Sequence, residues 1–325
     1  MEGGNITEKG TVMNTGVKIT AFAAAVAATF AATYAIGATV DPVTSGPESA
    51  AHAEHPPPAG RRSGNADTTP AGLQSSQAGY TLDLTSPRIT AAKKEQLSFA
   101  IRDQEGRQLT SYRREHGKEL HLILVSRDLV TYQHLHPTRA ADGTWNAPVT
   151  LPAAGSYRVF ADFTPAIEGA ANLILGADIA ASGTYKASTL PKPAATTTVD
   201  GYTVTLNGEL RPGGSTQLTL TVHRGGRPVT DLEPYLGAYG HLVALRSGDL
   251  AYLHVHPNGE PGDGTTKPGP GISFTATAPS AGTYRLFLDF QHNGTVRTAA
   301  FTVPTSKTAS ATESADTEKQ GNHQH

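Results

Sequence analysis

The chain has 325 residues, of which only 17% are charged, and its formal net charge is −2. A protein that binds nucleic acid normally carries a basic face, so this balance excludes that class of partner. The 34 glycines and 22 prolines exclude a long helical bundle. Cysteine is absent, which excludes disulfides, Cys-ligated metal and thiol catalysis, so any metal site must use His, carboxylate or backbone oxygen.

The N-terminal part of the chain predicts contact with a membrane. A short N-region, 1–18, expected on the cytoplasmic side, precedes an uncharged apolar stretch at 19–40. Crossing a bilayer takes about 20 residues, so this stretch is long enough. Two interpretations stay open: an uncleaved transmembrane anchor, or a secretory signal cleaved near Ile36-Gly37-Ala38. Both predict an extracytoplasmic protein of the cell envelope, either membrane-anchored or secreted.

The middle of the chain contains two tandem copies of one domain. Gly155-Ser156-Tyr157-Arg158 recurs as Gly282-Thr283-Tyr284-Arg285, and many other residues recur 120 positions later. Such internal similarity is typical of tandem domains. We therefore divide the chain into a disordered linker at 41–77, a first repeat at 78–186, a linker at 187–197, a second repeat at 198–304 and a disordered tail at 305–325.

Each repeat contains about seven short apolar runs separated by turn residues, a spacing that is typical of β-sandwiches. The sequence therefore predicts an all-β chain with two tandem immunoglobulin-like β-sandwich domains after one N-terminal transmembrane or signal helix. The runs lie near 79–84, 96–103, 118–126, 130–137, 144–150, 155–163 and 171–180, and then near 200–208, 216–223, 239–247, 250–256, 271–277, 282–290 and 295–303.

One histidine pattern recurs at the same spacing in both repeats. It consists of a His, twelve further residues and then His-X-His-Pro, and it supplies His121, His134 and His136 in the first repeat and His241, His254 and His256 in the second. The spacing predicts a β-hairpin in which the two His of His-X-His share a face and the first His lies opposite one of them. Three imidazoles gathered in this way can bind one ion at about 2.0–2.1 Å. We expect two equivalent sites for Cu(II) or Zn(II), with affinity falling as pH drops through about 6.

A carboxylate also recurs between aromatic residues, as Asp162 in the first repeat and Asp289 in the second. A carboxylate in such a strand needs a partner. Three roles stay open: a fourth metal ligand, an acceptor that fixes a His tautomer, or a salt bridge to Arg158 or Arg285.

The segments Gly240-His241-Leu242-Val243 and Asp249-Leu250-Ala251-Tyr252-Leu253-His254-Val255-His256-Pro257 resemble a family of bacterial envelope proteins. Members have an N-terminal membrane segment and paired β-sandwich domains with this His-X-His-Pro hairpin, and are usually labelled heavy-metal-binding or uncharacterised. The layout is more distantly similar to small copper-resistance β-sandwiches of the periplasm. The resemblance implies metal binding without identifying the metal. Neither repeat contains Met, which disfavours Cu(I).

The leading hypothesis from the sequence is extracytoplasmic, membrane-tethered binding of Cu(II) or Zn(II), with the protein partner left open. The alternative is an immunoglobulin-like cell-surface interaction module in which the His clusters are structural. An enzyme is disfavoured, because no general-base Glu accompanies the His motifs and no Ser/His/Asp arrangement is present.

Overall fold

The structure is a computed structural model that describes residues 69–306, all within one compact unit spanning Asn65–His325. The predicted membrane segment at 19–40, most of the predicted linker at 41–77 and nearly all of the tail at 305–325 lie outside the described residues, as do the side chains of His254 and His256. In the described part of the chain, no helix has the length and apolar character needed to span a bilayer.

The first repeat and the short segment before it form strands at the seven predicted runs and at four shorter places. The strands are β1 (Ser76–Gln77), β2 (Tyr80–Leu84), β3 (Arg88–Thr90), β4 (Lys94–Arg102), β5 (Tyr112–Arg113), β6 (Leu120–Ser126), β7 (Tyr132–Leu135), β8 (Thr138–Arg139), β9 (Trp145–Thr150), β10 (Gly155–Pro165) and β11 (Leu173–Ser182).

The second repeat again has strands at its seven predicted runs, with two short additions. The strands are β12 (Thr196–Val199), β13 (Tyr202–Asn207), β14 (Ser215–Arg224), β15 (Arg227–Pro228), β16 (His241–Arg246), β17 (Tyr252–Pro257), β18 (Gly271–Thr277), β19 (Thr283–His292) and β20 (Thr295–Pro304).

The strand order in each repeat is that of an immunoglobulin-like sandwich. In the first repeat, one sheet runs β1-β2-β4-β9-β8 and the other runs β3-β11-β10-β6-β7, with β5 added beside β10. Strands β2-β4-β9-β8 correspond to the A-B-E-D sheet of that fold, and β11-β10-β6 to its G-F-C sheet. The second repeat follows the same order along one path, β12-β13-β14-β18-β17-β16-β19-β20, with β15 beside β14. The prediction of an all-β chain is confirmed over the described residues.

The alternation of side chains explains why the inner faces pack. In β14, Leu218, Leu220 and Val222 are buried, whereas the residues between them are only partly buried. This period of two places one apolar row toward the opposing sheet. A core of such residues fills the space between the two sheets in each repeat.

Strands β6 and β19 depart from this alternation, because both of their faces are buried. A strand buried on both faces reads as a continuous apolar run, as Leu-Ile-Leu-Val does in β6. The outer faces form a third apolar cluster that joins the repeats; it includes Ile123, Phe160, Val243 and Phe287. The two repeats therefore meet through their equivalent sheets.

We call the contact surface formed by this third cluster the seam. Two aromatic pairs on the seam are related by an approximate two-fold symmetry of the repeats. The ring of Tyr132 stacks on Phe287, with ring centres 4.2 Å apart and planes inclined by 8°. The equivalent residues of the other repeat, Tyr252 and Phe160, also pair, with ring centres 5.5 Å apart and an interplanar angle of 63°. Such aromatic contacts contribute about 0.5–1.5 kcal/mol beyond their buried area, so both pairs help to fix how the repeats meet.

Residues 69–77, which the sequence assigns to a disordered linker, form an ordered strap along the seam. The buried guanidinium of Arg158 donates to the carbonyl oxygens of Gly72 (3.0 Å) and Leu73 (2.9 Å). Gly176 permits this approach, because a Cβ there would collide with the carbonyl oxygen of Gly72. Composition did not reveal the strap, since the side chain that holds it, Arg158, lies more than 80 residues away.

A buried tyrosine lies near the start of the F strand in each repeat. The hydroxyl of Tyr157 in β10 donates to the carbonyl oxygen of Ala153 at 2.8 Å, and that of Tyr284 in β19 donates to Ser280 at 2.9 Å. This arrangement is the tyrosine corner of immunoglobulin-like sandwiches. It explains why the Gly-X-Tyr-Arg motif recurs in both repeats.

Candidate metal centre

His121 lies at the second position of β6, immediately after a tight turn. Glu115 and Lys118 bond to each other through their backbones and close that turn, and its two central residues, His116 and Gly117, have φ of 49° and 75°. The turn brings the carbonyl oxygen of Glu115 within 3.2 Å of Nε2 of His121. A carbonyl oxygen only accepts hydrogen bonds, so Nε2 of His121 carries the ring proton.

The predicted hairpin is formed by β6 and β7. Leu122 pairs with Leu135 and Ile123 pairs with His134, so the same register sets His136 opposite His121. Strand β7 ends at Leu135, and Pro137 follows His136. Pro137 holds His136 in an extended conformation, because a residue before proline is excluded from the helical region.

The three imidazoles of this hairpin form a triad. The ring centres of His121 and His134 are 5.3 Å apart, those of His121 and His136 are 5.3 Å apart, and those of His134 and His136 are 4.9 Å apart. Two imidazoles on one tetrahedral ion, with metal–nitrogen bonds of about 2.0–2.1 Å, have ring centres about 5 Å apart. One ring nitrogen from each residue lies within 4.8 Å of the other two, so small side-chain movements suffice for all three to reach one ion.

The second repeat contributes a carboxylate to the triad. Nδ1 of His134 donates to Oδ2 of Asp289 at 2.9 Å, with only 7% of the His134 side chain and 3% of the Asp289 side chain exposed. The hydroxyls of Tyr132 (3.3 Å) and Thr298 (2.6 Å) also donate to this carboxylate. Asp289 therefore has the tautomer-fixing role, one of the three that the sequence left open.

When both rings are neutral, the outer hydrogen bonds leave two nitrogens facing each other without a proton. A neutral imidazole has one N–H, which His121 gives to Glu115 and His134 gives to Asp289. The inward atoms, Nδ1 of His121 and Nε2 of His134, are 3.1 Å apart, and each presents a lone pair. Two nitrogens on one tetrahedral ion at about 2.0–2.1 Å stand about 3.3 Å apart. A cation between these two atoms would satisfy both.

The surroundings oppose protonation of two of the three rings, His121 and His136. Burial, together with the neighbouring His134, lowers the pKa of His121 from 6.5 to about 3. Burial likewise lowers the pKa of His136 to about 4, and among residues 69–306 its buried Nε2 has no hydrogen-bond partner. Ligating histidines must be neutral, and these two remain neutral down to about pH 4.

The structure does not place the second motif as a copy of the first. Strand β17 leaves β16 after Leu253, and its remaining residues, including His254 and His256, pair with β18 in the opposite sheet. This switch of sheets ends the register that would have set His256 opposite His241. Instead, His241 lies on the seam, with its ring centre 6.0 Å from that of His134 and 6.4 Å from that of His121.

Asp162 lies beside the triad but bonds elsewhere. It is paired with His121 across β10 and β6, yet its Oδ1 accepts from Nδ2 of Asn172 at 2.7 Å. Burial raises its pKa from 3.8 to about 6. The proposed salt bridges are not formed by either carboxylate, because Arg158 pairs with Asp178 and Arg285 donates to Thr302.

A cavity of about 290 Å³ opens beside the triad on the seam. Its polar wall includes His121, His134, Asp162 and His241, and its apolar wall includes Val243. Both repeats therefore line a space large enough for solvent and a small ligand.

The sequence analysis did not predict where two residues of this site, Asp289 and His116, act. Asp289 was expected to act within its own repeat, and the sequence analysis assigned His116 to no site. The structure places the ring of His116 5.2 Å from that of His241 and 6.3 Å from that of His121, measured between ring centres. The signal available in the sequence was the nearly unbroken apolar run of β6 and of β19, which indicates that both faces of these strands are covered.

Comparison with known proteins identifies the family. The sequence profile of the family described as "Domain of unknown function (DUF8832)" matches residues 75–172 and 197–307, which cover most of the first repeat and all of the second. The chain belongs to this family. A search of curated proteins finds no match to the sequence.

The chain is also similar to several solved structures. The chain is similar to FdeC, an Escherichia coli adhesin, with 18% identity and a TM-score of 0.22, covering 70% of this chain and 65% of that one. Invasin, a bacterial integrin-binding protein, is 12% identical with a TM-score of 0.20, and the match covers 69% of this chain and 40% of that one. The D0-D1 domain of intimin is 11% identical with a TM-score of 0.20, and the match covers 69% of this chain and 97% of that one.

The lowered pKa values predict how the metal-free protein responds to acid. Because the folded pKa values of His121, His136 and His241 lie at about 3 to 4, the unfolded chain binds more protons from about pH 4 to 6.5, and stability falls as pH drops through that range. Asp162, with its raised pKa, opposes one of these three contributions. Each group contributes at most about 1.4 kcal/mol per pH unit.

Urea denaturation in the presence of a chelator, measured at pH 7, 6 and 5, checks this expectation. The free energy of unfolding should decrease at each step. His136→Gln, which keeps a polar side chain but does not titrate, should show a shallower decrease. Equal slopes for the two proteins would contradict the assignment.

Proposed function

We propose that the chain binds one divalent metal ion, Cu(II) or Zn(II), at His121, His134 and His136. The observation that supports this most directly is the 3.1 Å approach of two ring nitrogens whose protons are both committed to outer acceptors. A positive ion between them would remove the repulsion of the facing lone pairs. We assign the centre no catalytic role.

The choice of metal follows from the donor set. Three imidazoles suit Zn(II) and Cu(II), and the general affinity order places Cu(II) above Zn(II). Three protein ligands leave one position of a tetrahedral ion for water or another small ligand. The cavity on the seam provides the space for it.

The proposal includes a location outside the cytoplasm. The apolar stretch at 19–40, long enough to cross a bilayer, supports attachment to a membrane or export through it. The repeats would then act in the cell envelope, on a metal ion that reaches them there.

A second candidate is an immunoglobulin-like interaction module of the cell surface. The strand order of both repeats supports it, as does the fully bonded Asp289, which can brace the seam without any metal. Two of the similar structures named above, FdeC and invasin, are described as an adhesin and as an integrin-binding protein. In this case, saturating Zn(II) would leave the unfolding temperature of the protein unchanged.

Titration of the full chain with Zn(II) by calorimetry tests the metal proposal. The wild type should bind one strong equivalent that His134→Ala lacks, because two imidazoles bind far more weakly than three. His223→Ala removes a histidine of β14 remote from the triad and should bind like the wild type. Identical isotherms for His134→Ala and the wild type would contradict the proposal.

The role of Asp289 can be tested separately. Asp289→Asn should weaken Zn(II) binding by about 10- to 100-fold, because outer-sphere acceptors of metal-bound His typically contribute that much. Asp162→Asn is the matched control, since Asp162 holds the equivalent position in the first repeat and bonds to Asn172 instead of His134. Equal affinities for the two variants would show that the His134–Asp289 contact does not support the centre.

A further inference from the structure

The imidazoles on the seam fall into two groups by the distances between their ring centres. Within the triad these distances are 4.9 to 5.3 Å. His116 and His241 form a second pair at 5.2 Å. The distances that separate this pair from His121 and His134 are 6.0 to 6.4 Å. Only the shorter class fits two imidazoles on one ion, for which about 5 Å is expected.

The pair is built by two equivalent turns. His116 occupies the turn between Glu115 and Lys118, and Leu236 occupies the same place between Tyr235 and Ala238. The φ of His116 is 49° and that of Leu236 is 52°. Because Leu adopts the same left-handed conformation, the turn itself does not require a histidine. The His side chain at position 116 therefore calls for another explanation.

The two turns lie against each other across the seam. A Cβ built on Gly237 would be 3.9 Å from Cα of His116. His116 is exposed, whereas His241 is partly buried at the first position of β16. Both residues line the cavity beside the triad. The pair therefore lies beside the triad, with one of its two rings exposed to solvent.

The hydrogen bonding of His241 leaves one nitrogen for a ligand. Its Nε2 lies 2.8 Å from the carbonyl oxygen of Tyr235, so this nitrogen carries the proton and Nδ1 presents a lone pair. The arrangement repeats that of His121 and Glu115 in the first repeat. Among residues 69–306, the ring of His116 contacts those of His121 and His241.

We propose that His116 and His241 form a second, weaker site for a divalent metal ion, with one ligand from each repeat. The site rests on the same metal-binding function as the triad and extends it to the mouth of the cavity. Its affinity is lower, because the protein supplies two ligands and water completes the coordination. The sequence did not indicate this site, since His116 has no counterpart in the second repeat.

Equilibrium dialysis of the full chain against micromolar Cu(II), followed by metal analysis, tests this inference. His116→Asn suits the turn, because Asn tolerates positive φ. It should bind one equivalent fewer than the wild type and keep the tightest one. Leu236→Asn places the same residue in the equivalent turn and should bind as many equivalents as the wild type. His134→Ala should lose the tightest equivalent and keep the weaker one.

Each remaining outcome has a definite meaning. If His116→Asn binds as many equivalents as the wild type, or if Leu236→Asn loses the same equivalent, the second site is refuted while the triad stands. If His134→Ala loses both equivalents, the pair is not an independent site, and the inference is again refuted. If His134→Ala binds as tightly as the wild type, the proposed function itself fails.

Discussion

The hydrogen bond from His134 to Asp289 is the interaction on which the rest of this structure depends. It joins a side chain of the first repeat to a carboxylate of the second, and both groups are almost fully removed from water. By fixing the proton on Nδ1 of His134, it turns the lone pair of Nε2 toward His121. The contact therefore connects the packing of the two repeats to the chemistry of the histidines.

That packing originates in strands that are apolar on both faces. A single immunoglobulin-like sandwich needs only one buried face per sheet, yet β6 and β19 bury both. The outer apolar rows meet on the seam, where Tyr132 stacks on Phe287. Placing imidazoles beside such a surface lowers the pKa of His121 and His136 and keeps their nitrogens available. Burial of the outer strand faces therefore explains both the apolar seam and the unprotonated state of these nitrogens.

Local patterns predicted much of the fold but only half of the site. Apolar runs and turn residues located the fourteen main strands, and a spacing of twelve residues placed His121 opposite the His-X-His pair. These features depend on neighbours along the chain. Asp289, His116 and the strap beside Arg158 depend on how distant segments meet, and no spacing encodes that. The second motif departed from expectation because β17 changes sheets after Leu253, one residue before His254 would have reached the register seen for His134.

The protonation of the ring nitrogens is the most direct test of this account. Long-range proton–nitrogen NMR of the metal-free protein at neutral pH distinguishes the two nitrogens of each histidine. We predict a proton on Nε2 of His121 and on Nδ1 of His134, with the two inward nitrogens unprotonated and their resonances strongly shifted when Zn(II) is added. A proton on either inward nitrogen, or inward resonances that do not respond to Zn(II), would contradict it.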